Sequence, residues 1–218
     1  LQAALVETLA LAYNYSGQPL RGIPLFHRSI SIYSDPKLKI EFGGSLCHLS
    51  DALRLAGILY TAEATSRRAI SVTRTLEHHL REEYSLFLLA LILMARGFTE
   101  GAAIALQRAL KLDIQYSFHQ GEGLISAFFA QQALFCGKYS EARSFANQAW
   151  EIAHAHKFER DFIRSARLQG TAALGLGDIN TADERLHYAL TRARHVSLTE
   201  QELPALIALA ELRRQEGQ

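Results

Sequence analysis

Histidine and cysteine are the residues best suited to metal or nucleophilic chemistry, and this 218-residue chain carries nine and two of them. Their spacing argues against both uses. His78 and His79 are adjacent, so on a helix they point about 100° apart, and His154 and His156, two positions apart, also fall on different faces. The i, i+4 spacing by which H-E-x-x-H holds zinc from one helix face does not occur. The pairs His78 with Glu82 and His79 with Glu83 instead have the spacing of surface hydrogen bonds near a helix end. Cys47 and Cys136 fall on different predicted helices, too distant for a disulfide, whose Cα atoms lie within about 7 Å; both read as buried or half-buried thiols of a reducing cytoplasm. Gly137-Lys138-Tyr139-Ser140 lacks the earlier glycine and the preceding strand of a phosphate loop. Gly121-Glu122-Gly123 likewise lacks the strand-to-helix setting of a dinucleotide site. No local signature of a Ser/His/Asp or Cys/His group is present, so no enzyme activity, metal or cofactor is predicted.

The elements that must position any functional side chain are legible in the glycines. Gly17, Gly57, Gly97, Gly137, Gly177 and Gly217 recur at every fortieth position, and such a period marks stacked supersecondary units. Seven positions before each glycine come Ala10, Ser50, Ala90, Ala130, Gly170 and Ala210. Five after come Gly22, Ala62, Ala102, Ala142 and Ala182, and twelve after come Ser29, Ala69, Ala109, Ala149 and Ala189. Apolar residues between the glycines keep helical spacing, as in Leu86, Leu89, Ala90 and Leu93. Each unit is therefore helix, turn, helix, with glycine closing the first helix in a left-handed conformation. The small columns let helices approach closely. First-type helices are predicted over 2–15, 38–56, 82–96, 121–136, 160–176 and 200–216, and second-type helices over 21–33, 60–79, 99–114, 140–156 and 180–196. Thr99, Ser140 and Asn180 stand where side-chain oxygens can cap. Gly22 and Pro24 weaken the second helix, which is expected to start late or bend, and Asp35-Pro36 breaks the chain after it. Trp150 is expected to pack at the junction with the following unit.

Small residue, turn glycine, alanine after the turn and alanine near the end of the second helix are the columns of the tetratricopeptide repeat, which this chain resembles throughout. Gly177-Asp178-Ile179-Asn180-Thr181-Ala182, with Leu186, Ala189 and Leu190, is the plainest match; Gly137 to Ala142 with Ala149 is another. The family's usual repeat is shorter, at about 34 residues, and the longer form found here is similar to the superhelical sensor domain of the maltose-regulon activator and to related bacterial signalling ATPases and LuxR-type regulators. The aromatic of the family's first helix is absent, its column holding Val6, Leu46, Leu86, Ser126, Ala166 and Leu206. The resemblance implies an all-α, right-handed α-solenoid, one segment over 1–218 of about five and a half repeats. It also implies that the columns thirteen, ten, six and three positions before each glycine face a concave groove. These are Glu7, Leu11 and Asn14; Cys47, Asp51 and Arg54; Tyr84, Phe87, Leu91 and Met94; Leu124, Ala127, Gln131 and Leu134; Arg164, Arg167, Thr171 and Leu174. Such a groove offers apolar anchors in the middle and a bidentate cation for a carboxylate. The competing reading is that Tyr84, Phe87 and Met94 fill space between helices while Arg164 and Arg167 pair with Glu159 and Asp161 or are solvated.

Composition bounds the partners. The chain is 49% hydrophobic and 21% charged, with 23 basic against 22 acidic residues and a net charge of +1. No bulk attraction to nucleic acid follows. The longest apolar run, Leu86 to Ala95, is too short to span a bilayer, and no secretory signal is recognisable. Because the helical pattern is already running at Leu1, lacks polar capping helices and stops just past Gly217, a segment of a longer protein is expected. The leading functional reading is a non-catalytic, cytoplasmic sensor segment of a larger bacterial regulator, linked to transcription or a signalling ATPase, that binds a protein, a peptide or a small-molecule effector. The alternative is a scaffold for protein assembly or self-association, and the third is a substrate-recruiting array attached to an enzyme.

Overall fold

A computed structural model describes residues 2–33 and 39–217, with only the backbone at His119 and Gln120. Every regular element among the described residues is an α-helix, in tandem pairs, as the repeat columns predict. The Asp35-Pro36 break lies outside the described residues. Two compact units result. The first, Leu1–Phe118, holds α1 (Gln2–Tyr15), α2 (Pro19–Ile32), α3 (Lys39–Leu55), α4 (Leu59–Thr75), α5 (His79–Ala95) and α6 (Thr99–Tyr116). The second, His119–Gln218, holds α7 (His119–Phe135), α8 (Tyr139–His156), α9 (Glu159–Gly175), α10 (Ile179–His195) and α11 (Thr199–Gln215). In each unit a helix packs on its pair-mate and on the next helix, and the odd-numbered helices also touch one another in a row, α1 with α3 and α3 with α5, then α7 with α9 and α9 with α11.

The joints explain this repetition. All six glycines of the repeating column are left-handed, at φ 69° to 84°. At each of the first five the next residue donates its N–H to the carbonyl five back, as Phe98 does to Leu93 at 2.8 Å and Asp178 to Ala173 at 3.0 Å, which is the Schellman closure of a helix. A second set of joints lies midway between successive glycines, at Glu77, Ser117, Lys157 and Ser197, left-handed at φ 52° to 58° without glycine. The same bond forms there, from His78 to Thr73 at 2.9 Å and from Leu198 to Ala193 at 2.8 Å. These joints move two predicted boundaries: α4 stops at Thr75 instead of 79, and α5 begins at His79 instead of 82. The second helix is not delayed, because Pro19 supplies its first turn, where a missing N–H is harmless; Pro24 is held inside it.

The capping expectation needs correction. Thr99, Ser140 and Asn180 lie within the first turns, whereas the N-cap positions are Phe98, Lys138 and Asp178. Asp178 Oδ1 accepts from the Thr181 N–H at 3.2 Å, and His78 Nδ1 accepts from that of Arg81 at 3.4 Å. The His78 side chain therefore does not bond that of Glu82, nor do Glu82 and Glu83 lie on the surface: they are 5% and 4% exposed. Glu82 instead takes Arg74 at 2.8 Å and Arg108 at 3.4 Å, while His79 stacks on Tyr116 at 4.1 Å between ring centres.

The small columns form the seams between helices. From Ala62 through Ala182 and from Ser29 through Ala189 no member exceeds 2% exposure. A Cβ on Gly22 would stand 2.9 Å from the Ala10 carbonyl oxygen, so the columns before and after the turn meet face to face. Trp150 packs edge-on against Phe162 of α9 and Tyr188 of α10, at 4.2 and 5.7 Å, and Arg185 covers its ring. That is the junction where the sequence reading placed it. Cys47 is buried, but Cys136 is exposed rather than half-buried, and both thiols are free.

Candidate functional site

In the first unit the inward columns of α1, α3 and α5 are tied together mainly by polar contacts. Ser45 Oγ donates to Glu7 Oε1 at 2.8 Å, and His48 Nδ1 lies 2.8 Å from the same oxygen. Burial would raise the Glu7 carboxyl, but these two bonds and the nearby charges of His48 and Arg81 outweigh it and hold the group below its usual range. Asn14 Nδ2 donates to Asp51 Oδ2 at 3.3 Å, while Arg54 donates to Asp51 Oδ1 from Nε at 3.0 Å and Nη2 at 2.7 Å. Asn14 and Asp51 are both buried. Arg81 lays its guanidinium over Gly44, where a side chain on that glycine would overlap it. Cys47 Sγ sits 2.8 Å from Ser85 Oγ, and burial pushes its thiol up to about 11, which leaves it a packing residue.

The expected apolar anchors are only partly available. Phe87 is buried at 5% exposure and belongs to the core. Tyr84 and Leu91 are half-buried against the cluster of Leu46, Cys47, Ala69 and Leu88, and Met94 and Leu11 are half-buried as well. On this face the space-filling reading holds for Phe87, and the remaining anchors offer ring edges and methyl groups.

The second unit brings its predicted residues together around cations. Arg167, on α9, donates from Nη2 to Gln131 Oε1 of α7 at 3.3 Å and from Nε to Gln201 Oε1 of α11 at 3.2 Å. Arg164 donates to Asp161 Oδ1 at 3.1 Å and lies 3.8 Å from Glu200, which Arg160 holds at 2.6 Å. Glu159 pairs with Arg192 instead. The expected alternative pairing is thus true of Arg164 with Asp161 and corrected for Arg167, whose partners are neutral amides. Arg160, Arg164 and Arg167 stand near the carboxylates Asp161 and Glu200, but the two side-chain bonds of Arg167 both go to neutral amides. Burial, then the like charge of Arg164, lowers its pKa to about 10 despite the offset from Glu200. Thr171 Oγ1 bonds the Arg167 carbonyl at 2.9 Å and so faces the helix. Leu124 and Leu134 are half-buried, whereas Ala127 and Leu174 are buried.

Gln201, Glu200 and Arg160 were outside the inward columns expected from the resemblance. Gln201 shares its column with Arg81 and Asp161, about one turn ahead of the first inward column, and that polar run was the available signal. What such an arrangement can do is bind an anion: a half-buried guanidinium with neutral partners exchanges two weak bonds for a charge-assisted fork. Among the described residues no group of three or more His, Cys, Asp or Glu is placed to hold a metal ion, and no helix is long and apolar enough to cross a membrane.

No protein-family model matches the chain, nor does any curated protein. Solved structures do. A Rap protein complexed with competence and sporulation factor superposes with a TM-score of 0.71 at 14% identity, over 98% of this chain and 64% of that one. Aspartyl phosphate phosphatase F from Bacillus subtilis gives 0.68 at 12% identity, over 98% and 59%. A putative kinesin light chain of Podosopora anserina with nearly identical TPR-like repeats gives 0.61 at 18% identity, over 89% and 96%. At such identities the likeness concerns architecture alone: the chain has the helix-pair fold of a tetratricopeptide-like α-solenoid.

Proposed function

We propose that this chain is a non-catalytic protein-interaction array whose second unit recognises a carboxylate-bearing peptide through Arg167, with Arg164 beside it. The observation that carries the reading is the partnering of Arg167: a cation held across α7, α9 and α11 by two amide oxygens, at 3.2 and 3.3 Å, beside a like charge. A peptide carboxylate relieves that imbalance. Hydrogen bonds to charged groups contribute about 1.5–3 kcal/mol, roughly a tenfold to hundredfold in affinity. The similar Rap structure is a complex with a factor, which supports a scaffold that receives a partner. The regulator-sensor reading adds an output module to this scaffold. Its requirement is that a ligand replace contacts between repeats, and the bonds linking Arg167 to Gln131 and Gln201 provide such exchangeable contacts.

The test is selection of binders from a random peptide display library, followed by affinity measurement on the winners. Enrichment of acidic side chains or free C-termini is expected, with affinity about tenfold or more weaker for Arg167→Gln. Winners without a carboxylate, or equal affinity for wild type and Arg167→Gln, would overturn the assignment.

A further inference from the structure

The first unit carries a second recess, formed by α4, α5 and α6 and separate from the inward columns of the odd-numbered helices. It encloses about 510 Å³ over a floor that includes Leu86, Leu89 and Leu93, with Arg67, Arg74 and Arg108 on its rim. Two residues of α6 make it, and both depart from their own columns. Gly101 lies inside the helix without a left-handed φ, and a Cβ there would meet only Leu93 Cδ1, at 3.4 Å. Neither turn geometry nor close packing calls for a glycine that weakens the helix; the same position elsewhere holds Arg21, Thr61, Glu141 and Thr181. Its effect is to leave the recess open. One turn further on, Ile104 is 62% exposed, where the other repeats have Pro24, Ala64, Ser144 and Glu184.

The electrostatics select what fits. Arg74 and Arg108 share the single carboxylate of Glu82, at 2.8 and 3.4 Å, and each side chain remains about half exposed (44% and 50%). Arg67 shares Glu63 with Arg96. Four guanidinium groups therefore meet two carboxylates, with Glu100 standing at the far end of the groove where it continues past Gly101 to Phe98.

We infer that the α4/α5/α6 recess is a docking groove for an acidic amphipathic helix of a partner protein. Apolar residues of that helix lie beside Gly101, over Leu93 and Ile104, and its flanking carboxylates take the free N–H donors of Arg74 and Arg108. Helix-in-groove recognition uses apolar anchors at i, i+3 and i+4, and charge complementarity on the rim sets the partner's sign.

The test uses a fluorescently labelled peptide of leucine-glutamate heptads, a leucine-lysine counterpart and a serine-glutamate counterpart, read by anisotropy on the full chain. Binding of the leucine-glutamate probe alone is expected, weakening with salt. Gly101→Gln, which fills the recess while improving helix propensity, and Arg108→Gln should each weaken it about tenfold, with circular dichroism confirming the fold. All of these measurements are made in the Arg167→Gln background, which weakens the carboxylate site proposed above, so that binding of an acidic probe reads this groove and its failure is distinguishable from failure of that site. No binding of the leucine-glutamate probe, equal binding of either counterpart, or full affinity in both Gly101→Gln and Arg108→Gln would overturn the assignment.

Discussion

Glu83 makes the sharpest stability prediction. Its carboxyl lies between α5 and α6 at 4% exposure, with Oε1 lacking a hydrogen-bond partner among the described residues, and faces the fully buried Asp113. Burial, then the charge of Asp113, pushes its pKa up to about 8 from a reference of 4.5. Between those values the unfolded chain has released a proton that the folded chain keeps. The folded state then binds more protons, so stability falls as pH rises through this window and levels off above it. Each tenfold difference in proton affinity corresponds to about 1.36 kcal/mol, so the loss between pH 5 and pH 9 amounts to roughly 4 kcal/mol. Glu83→Gln keeps the shape and cannot ionise. Urea unfolding followed by circular dichroism at pH 5, 6, 7, 8 and 9 should find the variant within about 1 kcal/mol of wild type at pH 5 and more stable by several kcal/mol at pH 9. A difference that does not change from pH 5 to pH 9, or a variant less stable at pH 9, would refute the reasoning.

Two glycines test whether close approach or side-chain mobility decides the cost of a methyl group. Gly170→Ala would place Cβ 2.7 Å from Leu186 Cγ and 3.1 Å from its backbone nitrogen, so thermal melts should show a loss of about 1–3 kcal/mol. At Gly44 the nominal overlap is larger, but it is with the mobile tip of Arg81, and Gly44→Ala should be neutral or stabilising by up to about 1 kcal/mol; equal losses in both would count against the argument. Thiol titration with an aromatic disulfide at pH 8 should find one fast cysteine, the exposed Cys136, while Cys47, buried and with its pKa raised to about 11, waits for unfolding. Two thiols reacting at equal rates in the folded chain would contradict the described packing.

How much of this was legible depends on how steeply each position restricts its residue. The six turn glycines were readable because a left-handed joint penalises any Cβ, and the small columns because two backbones cannot approach past a larger group, as Gly22 against Ala10 demonstrates. The joints at Glu77, Ser117, Lys157 and Ser197 impose the same dihedral, yet they accept side chains because Schellman bonds and helix packing offset a cost of about 1–2 kcal/mol. They left no compositional trace, and the boundary between α4 and α5 was misplaced accordingly. Caps failed for a related reason. The N-cap positions of most of these helices hold apolar or long residues that make no side-chain cap bond, as at Ile58, Phe98, Lys138 and Leu198, so the oxygen-bearing residues near the turns stand one or two places inside the helix.

The candidate site was legible as a set of columns but not as a set of bonds. A column says which way a side chain points and nothing about what meets it from the neighbouring repeat. Arg167 and Arg164 occupy equivalent inward positions one turn apart, yet one meets two amides and the other a carboxylate, because Gln131 and Gln201 stand where acidic residues would have neutralised Arg167. Glu82 and Glu83 carry the same lesson in reverse: adjacent, chemically alike and both buried, one lies beneath two arginines and the other faces Asp113. In a stacked array the backbone period belongs to each repeat, whereas charge balance is a property of pairs of repeats. Both proposed recognition sites therefore lie where one repeat departs from its column, as Gly101 and Ile104 do on one helix and Gln201 does on another.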